Sequence, residues 1–329
     1  MKAIILVGGE GTRLRPLTYV TPKQMLPVAG TAMLEWVVAH LAEHGVTELV
    51  LALGYLPEQF INAYPDHEVR GVPVTYVVEE HPLDTAGALH NAAMASGIDE
   101  TFVVVNGDVM TDMSISALVQ FHRYRRASAS LAVRRVPDPS AFGVVDFTTD
   151  GRVRAFVEKP PRGTAPTDYI NAGVYVLEPS VLERIEPNTR VSLERAVFPA
   201  LARDQVLYAR PTSDYWIDTG TPATYLQANL DVLNGRRPRP LVEPQGGSWI
   251  APDSVVESGD VTRSVLGARS RVEIGAVVDE SVLLPGAVVA SGAVVRRSII
   301  GPGAVVASTQ RLSEAVIFAE RDSATATVD

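Results

Sequence analysis

Between Ile250 and Phe318 an aliphatic side chain returns every five or six positions: Ile250, Val256, Val261, Leu266, Val272, Val278, Leu284, Val289, Val294, Ile300 and Val305. Small turn-forming residues fill the gaps, as in Ile274-Gly275-Ala276-Val277 and Ile300-Gly301-Pro302-Gly303-Ala304-Val305. A six-residue rhythm of aliphatic, Gly or Pro, small, small predicts a parallel β-helix, with one inward aliphatic per side and three sides per coil. About 70 residues allow three or four coils, a short solenoid. Ordinary hairpins with valine-rich strands are the competing reading, and eleven near-regular returns favour the solenoid.

Upstream, a different pattern holds. Apolar runs at Ala3–Val7, Glu48–Ala52, Val74–Val78, Thr101–Val105 and Ser128–Val133 alternate with stretches of helical period at Ala32–His44, Thr85–Ser96 and Ile115–Arg125. Such alternation predicts βαβ crossovers, an α/β fold with a mostly parallel sheet and helices on both faces. From Gly143 to Tyr208 the strands have hairpin-like spacing, which predicts a mixed region. Pro238, Pro240 and Pro244 then break the pattern and mark a linker. The expected division of the 329 residues is a domain over 1–235, a linker over 236–247, a β-helix over 248–318 and a flexible tail over 319–329.

Composition removes several classes of function. The absence of cysteine excludes disulfide scaffolds, zinc–thiolate sites, iron–sulfur clusters and thiol nucleophiles. A net charge of −9 argues against a nucleic-acid partner. No apolar run approaches the ~20 residues of a membrane span, and the apolar stretch at Ala3–Val7 is too short for a secretion signal. A soluble, cytoplasmic protein with no membrane partner is the expectation.

The chemistry concentrates directly after the first strand, in Gly8-Gly9-Glu10-Gly11-Thr12-Arg13-Leu14-Arg15-Pro16-Leu17-Thr18. The carboxyl edge of an open α/β sheet is where ligands bind. Gly8, Gly9 and Gly11 let backbone approach phosphates and aim N–H groups at them. The run is neither a P-loop nor the dinucleotide fingerprint. Arg13 can fork onto phosphate oxygens, and Lys23 follows between Pro22 and Pro27; two cations around a glycine loop suit a triphosphate and a second anion. A tight turn with solvated charges is the plainer alternative.

Two further runs end in carboxylates: Val103-Val104-Val105-Asn106-Gly107-Asp108 and Trp216-Ile217-Asp218-Thr219-Gly220. A strand delivering Asp108 to the sheet edge is a good holder for Mg²⁺, which takes one or two carboxylates plus phosphate oxygens. Taken singly, such an Asp is more often a helix cap. Glu158-Lys159 reads, on alternation alone, as an exposed ion pair.

Gly-Gly-x-Gly-Thr-Arg-Leu-x-Pro-Leu-Thr, followed by Pro22-Lys23-x-x-Leu26-Pro27, resembles the sugar-1-phosphate nucleotidyltransferases, or NDP-sugar pyrophosphorylases. The likeness covers nearly the whole chain, since many members carry a C-terminal left-handed β-helix. It implies an α/β, Rossmann-like mixed sheet and a Mg²⁺-dependent reaction of a nucleoside triphosphate with a sugar 1-phosphate. It further implies Arg13 and Lys23 as catalytic residues, with Gly8, Gly9, Gly11 and Thr12 on the nucleotide and Asp108 and Asp218 on the metal. By the same likeness Gly143, Glu158, Lys159 and Asn171 face the sugar phosphate.

Glu80 to Leu89 looks like the Leu-Gly-Thr-Ala-Gly segment of mannose-1-phosphate guanylyltransferases, which places Asp84, Thr85 and Gly87 at the base. Asp84 stands where the family has Gly; its carboxylate could accept from guanine N–H groups, or it could cap the helix starting at Thr85. GTP and mannose 1-phosphate are therefore favoured. Alternatives are dTTP or UTP with glucose 1-phosphate, a cyclitol phosphate, or a catalytically silent nucleotide-sugar-binding subunit. None of the six histidines lies in the β-helix, which argues against a second, acyltransferase site and for an assembly role. A homo-oligomer, dimer or tetramer, through the β-helix or the catalytic domain is expected.

Overall fold

The computed structural model describes residues 1–237 and 241–319, so Pro238, Pro240 and all but Ala319 of the expected tail lie outside the described residues. The chain divides into two compact units, Met1–Glu10 with Leu34–Trp216 and Gly11–Met33 with Ile217–Asp329.

The first unit is built on a ten-stranded mixed sheet. Its strands are β1 (Lys2–Leu6), β2 (Glu48–Leu53), β3 (Glu68–Val69), β4 (Val72–Val78), β5 (Phe102–Asn106), β6 (Ala129–Arg135), β7 (Gly143–Phe147), β8 (Val153–Glu158), β9 (Tyr169–Leu177) and β10 (Leu207–Pro211). The helices are α1 (Met33–Glu43), α2 (Pro57–Ala63), α3 (Asp84–Ala95), α4 (Ile115–Arg125) and α5 (Phe198–Arg203). Across the sheet the order is β8-β7-β9-β5-β1-β2-β4-β3, with β6 on β9 and β10 on β6. β1 lies parallel to both β2 and β5, so chain order reverses between β1 and β5. Ala3, Ile4 and Ile5 are fully buried there, as expected of a central parallel strand covered on both faces.

The hairpin-spaced region is antiparallel: β7 pairs β8, and β9 pairs β5, β6 and β7. α4 has the boundaries its period predicts, because Ser114 caps its start by accepting from the Ala117 N–H at 3.2 Å. α3 starts one residue earlier than its apolar period, at Asp84.

In the second unit α6 (Pro222–Leu233) opens with a reciprocal cap between Thr221 and Thr224. Its Asn229 side chain accepts the Ala29 N–H at 2.8 Å, and its Tyr225 hydroxyl bonds the Pro27 carbonyl. These bonds hold the short hairpin of Pro27–Val28 with Thr31–Ala32. The Trp249 indole lies on the turn of that hairpin, so close to Gly30 that a Cβ there would sit 2.0 Å from the ring.

The β-helix follows as three stacks of parallel strands, five in one and four in each of the others. Val265 pairs with Val282 and Val282 with Ile299, a coil of 17 residues rather than the 18 of three six-residue sides. One side per coil is therefore a residue short, which moves some inward positions by one. Leu283, Val295 and Val306 fill the inner cluster, with the predicted Leu284 and Val294 buried beside it, whereas the predicted Ile250, Val256 and Val305 are exposed, Val305 at 60%. Two ladders run along the coils. Ser248, Ser264, Ser281 and Ser298 are buried, and each hydroxyl accepts a backbone N–H from the next coil. Outside, Arg263, Glu280, Arg297 and Glu314 alternate in sign at corners with positive φ.

Candidate active site

In the first unit the carboxyl ends of β1, β2, β4 and β5 converge on backbone made of glycines. The Val7 N–H bonds Ala52, Gly107 bonds Leu6 and Glu79 bonds Leu53, so the strand exits are stitched side by side. A Cβ on Gly54 would lie 2.9 Å from the Gly8 carbonyl, and one on Gly8 would lie 3.1 Å from Glu79 Oε1. Glycine at 54 is required by close approach of the two strand exits, and a side chain at 8 would crowd Glu79. Gly8 and Gly9 are exposed at this edge, and Asp108 leaves β5 at the chain reversal, half-buried. This is the crevice of a doubly wound sheet.

Glu79 has no motif to announce it, yet it stands against the glycine loop. Its Oε2 accepts the Leu83 N–H at 3.0 Å. Burial pushes its carboxyl pKa up, against the pull of that hydrogen bond. Asp84 adopts φ 60, the left-handed conformation that explains why glycine suits this position and Asp tolerates it. Its Oδ1 accepts the Thr85 N–H at 2.8 Å.

Thr85 and Gly87 face the segment 189–194. The Val191 carbonyl accepts from Ala86 and Gly87, and a Cβ on Gly87 would meet the Thr189 carbonyl at 2.5 Å. The Thr85 hydroxyl donates to Glu194 at 2.7 Å and accepts the Leu193 N–H at 2.9 Å. Glu194 sits in a wide turn over Leu193–Val197 with π-type hydrogen bonding, a local form that recurs at functional sites.

The sugar-phosphate candidates gather on β7, β8 and β9. Gly143 pairs directly with Glu158, and a Cβ on it would overlap Phe156 at 2.6 Å and Glu158 Oε2 at 2.9 Å. Lys159 has φ 47, and its Nζ lies 3.4 Å from Glu158 Oε1. Burial raises the Glu158 pKa, while Lys159 opposes the rise. The Asn171 amide donates to the Tyr175 hydroxyl at 2.9 Å and accepts the Gly173 N–H at 3.1 Å. Tyr175 is fully buried.

In the second unit Gly11 turns with φ 63, and its carbonyl accepts the Thr18 hydroxyl at 2.8 Å and the Leu14 N–H at 2.9 Å. A Cβ on Gly11 would lie 3.4 Å from the Lys23 Cβ. Arg13 reaches back to Asp218, with Nη2 to Oδ2 at 4.0 Å, while Thr12 is exposed beside it. Asp218 Oδ1 accepts the Gly220 N–H at 2.8 Å, and a Cβ on Gly220 would lie 2.6 Å from Arg13 Nη2. The fold thus brings Arg13, Lys23 and Asp218 onto one loop assembly from distant parts of the sequence. Among the described residues no group of three or more His, Asp or Glu side chains forms a protein-only metal cage. Strand-end carboxylates suit an ion that takes most of its oxygens from phosphate.

Sequence reasoning missed Glu79, Glu194 and Gly54. The end of an apolar run at Val78 was the available signal for Glu79; Glu194 lies in a region without strand or helix period.

A glycine loop at the reversal point of a doubly wound sheet, with a β-helix downstream, defines a nucleotide-binding α/β enzyme. The chain belongs to the nucleotidyl transferase family, whose sequence model matches residues 2–235, and the model of the GlmU-like C-terminal hexapeptide region matches 244–323. It is a nucleotidyltransferase of the kind that serves nucleotide-sugar formation, and the family generally uses a divalent metal ion. It is 38% identical over 289 residues to the mannose-1-phosphate guanylyltransferase of Mycobacterium tuberculosis, covering 86% of this chain and 80% of that one. Mannose-1-phosphate guanylyltransferase 1 of Arabidopsis thaliana is 37% identical over 292 residues, with the same coverage, 86% and 80%. Among solved structures, HddC of Yersinia pseudotuberculosis, also determined in complex with GMP-PN, is 28% identical with a TM-score of 0.60 over 69% of this chain and 97% of that one. No described helix is long and apolar enough to cross a membrane.

Proposed function

We propose that the protein transfers a guanylyl group from GTP to mannose 1-phosphate, releasing pyrophosphate and forming GDP-mannose. The observation that carries this reading is the Glu79 carboxylate standing against Gly8 of the glycine loop. Guanine offers N1–H and N2–H donors to such an acceptor, whereas uracil and thymine flank their single N3–H with carbonyls that a carboxylate repels. The kinship with named mannose-1-phosphate guanylyltransferases supports the same choice. Glu79 takes the base-reading part that Asp84 was expected to play, because Asp84 is turned onto its own helix.

An oxygen of the sugar phosphate attacks the α-phosphorus as the bond to the β-phosphate breaks, so pyrophosphate leaves in line. The attacking oxygen is anionic at neutral pH, and no general base is needed. Positioning and charge stabilisation then supply the rate. Gly8, Gly9, Gly11 and Thr12 cradle the triphosphate, Arg13 neutralises the departing pyrophosphate, and Lys23 stands at the α-phosphate. Asp108 and Asp218 are the carboxylates that would hold Mg²⁺, which neutralises triphosphate oxygens when bound. Gly143, Glu158 and Asn171 receive the sugar hydroxyls and Lys159 the sugar phosphate; Thr85 and Gly87 fix the segment that closes over the helix start. Residues 1–235 form the catalytic domain in this reading, 236–247 the linker and 248–318 the β-helix. Self-association into a dimer or tetramer and a cytoplasmic location complete it.

Pyrophosphate release with Mg²⁺ over a grid of nucleoside triphosphates and sugar 1-phosphates tests the reading, with Asp108→Asn and Arg13→Ala as controls. GTP with mannose 1-phosphate should be the best pair, and Arg13→Ala should cost on the order of 10²–10³ in rate. Release confined to dTTP or UTP with glucose 1-phosphate would keep the mechanism and overturn the base assignment. Silence across the grid with tight nucleotide-sugar binding would make the protein a regulatory subunit.

A further inference from the structure

Glu194 belongs to none of the motifs above, yet its carboxylate is anchored near the sugar-phosphate candidates. Its Oε2 accepts from two hydroxyls, Thr85 at 2.7 Å and Ser192 at 2.8 Å. Thr85 is itself held by the Leu193 N–H. Among the described residues no donor within hydrogen-bond distance engages Oε1, and the residue is half-buried, so one oxygen is fixed and the other is open. The wide turn that carries Glu194 packs against β8, the strand that ends in Glu158, and against α3, which carries Thr85. Tyr175, fully buried beneath these elements, feels the charge of both Glu194 and Glu158. Glu158 likewise feels Glu194.

A carboxylate with one oxygen saturated by protein donors and the other open is suited to accept from a ligand hydroxyl, and the neighbouring cation, Lys159, already pairs with Glu158. A charge kept half-buried near a second carboxylate has an electrostatic cost. A donor arriving with the substrate offsets it. Thr85 lies on the helix that opens beside the base-reading loop. Its hydrogen bond to Glu194 therefore joins the nucleotide side of the crevice to the sugar side.

We propose that Glu194 is a specificity-determining residue for the sugar phosphate: its free oxygen accepts one particular hydroxyl of the sugar, in company with Glu158. This rests on the nucleotidyl-transfer reading above and adds a residue to its acceptor site.

The test uses the full-length enzyme with Mg²⁺ and saturating GTP. The substrate panel is mannose 1-phosphate and its four monodeoxy analogues, lacking the 2-, 3-, 4- or 6-hydroxyl, against wild type, Glu194→Gln and Glu194→Ala. The expected result is a fall in kcat/KM for mannose 1-phosphate of about 10- to 100-fold in Glu194→Ala, the range for a hydrogen bond to a charged group. The KM for GTP should stay within about twofold. With the one analogue that lacks the accepted hydroxyl, wild type and variant should become nearly equal. An equal loss on all five substrates, or a loss that resides in the GTP KM, would overturn the proposal and leave Glu194 a structural pin for Thr85. Glu194→Gln preserves size and the Thr85 and Ser192 contacts, so the same pattern in milder form is readable if the alanine variant folds poorly. If wild type turns over a different sugar 1-phosphate, the deoxy panel is built on that sugar and the same selective equalisation is required. If it turns over none, the catalytic reading fails by itself, and calorimetric titration of the panel into wild type and Glu194→Ala must show the same selective equalisation in Kd; equal losses of affinity across the panel would overturn this proposal.

Discussion

The Ser281 hydroxyl accepts the backbone N–H of Ser298 at 3.0 Å, one coil further along the β-helix, while donating to the Asp279 carbonyl at 2.8 Å. Ser264 does the same for Ser281 at 3.1 Å and Ser298 for Ala315 at 3.0 Å. A polar ladder inside an aliphatic core is stable because every member is satisfied.

Replacing Ser281 by Ala removes an acceptor from a buried N–H, which costs about 1–3 kcal/mol. Glu280→Gln on the exposed charge ladder should cost less than about 1 kcal/mol, because water and salt screen those pairs. Urea unfolding followed by far-ultraviolet circular dichroism compares the two. Equal effects would mean that the buried ladder adds nothing beyond packing.

Gly30→Ala should couple the β-helix to the loop that carries Lys23. At φ 79 an alanine is strained by about 1–2 kcal/mol, and its Cβ would overlap the Trp249 ring. The expected outcome is a lower melting temperature and a raised KM for the nucleoside triphosphate. Adding Trp249→Ala should recover part of the loss, since the overlap then has no partner. Strictly additive losses in the double variant would show that the ring is not what Gly30 accommodates.

For the base, Glu79→Gln exchanges a pure acceptor for a group that also donates. The expected result is a fall in kcat/KM with GTP of about 10- to 100-fold, with dTTP or UTP losing less or gaining, so that the ratio between bases narrows. An unchanged ratio would return base selection to the segment 80–89.

His122 provides the pH dependence. It is 1% exposed, with Nδ1 on Ser130 at 3.0 Å and Nε2 on Glu178 at 2.9 Å. Burial lowers its pKa, outweighing the upward pull of Glu178. Folding then favours the neutral ring. The stabilisation is full above the unfolded value of about 6.5 and is lost as pH falls through the lower folded value. Wild type should therefore lose stability on acidification below about pH 6.5 more steeply than His122→Asn. Parallel pH profiles of the urea midpoint would contradict this.

Local patterns determined much of the architecture. The boundaries of α4 follow from Ser114 and the spacing of Ile115, Leu118, Val119 and His122, and the central strands from unbroken runs such as Val103–Val105. The glycine run Gly8, Gly9 and Gly11 was legible as a motif, and Gly11 is needed for its φ of 63 and its close approach to Thr18. The number of residues per coil was less legible. A 17-residue coil and an 18-residue coil differ by one turn residue, and only stacking of Val265, Val282 and Ile299 decides which aliphatics face inward.

What tertiary structure alone decided is which distant groups meet. Arg13 and Asp218 come to 4.0 Å, Glu79 stands against Gly8, and Thr85 holds Glu194, each pair joined only when strands or loops far apart in sequence close on one another. Periodicity records whether a residue faces core or solvent, because that depends on its neighbours at two, three or four positions. It carries no record of which carboxylate faces which cation, because that depends on the order in which strands assemble across the sheet.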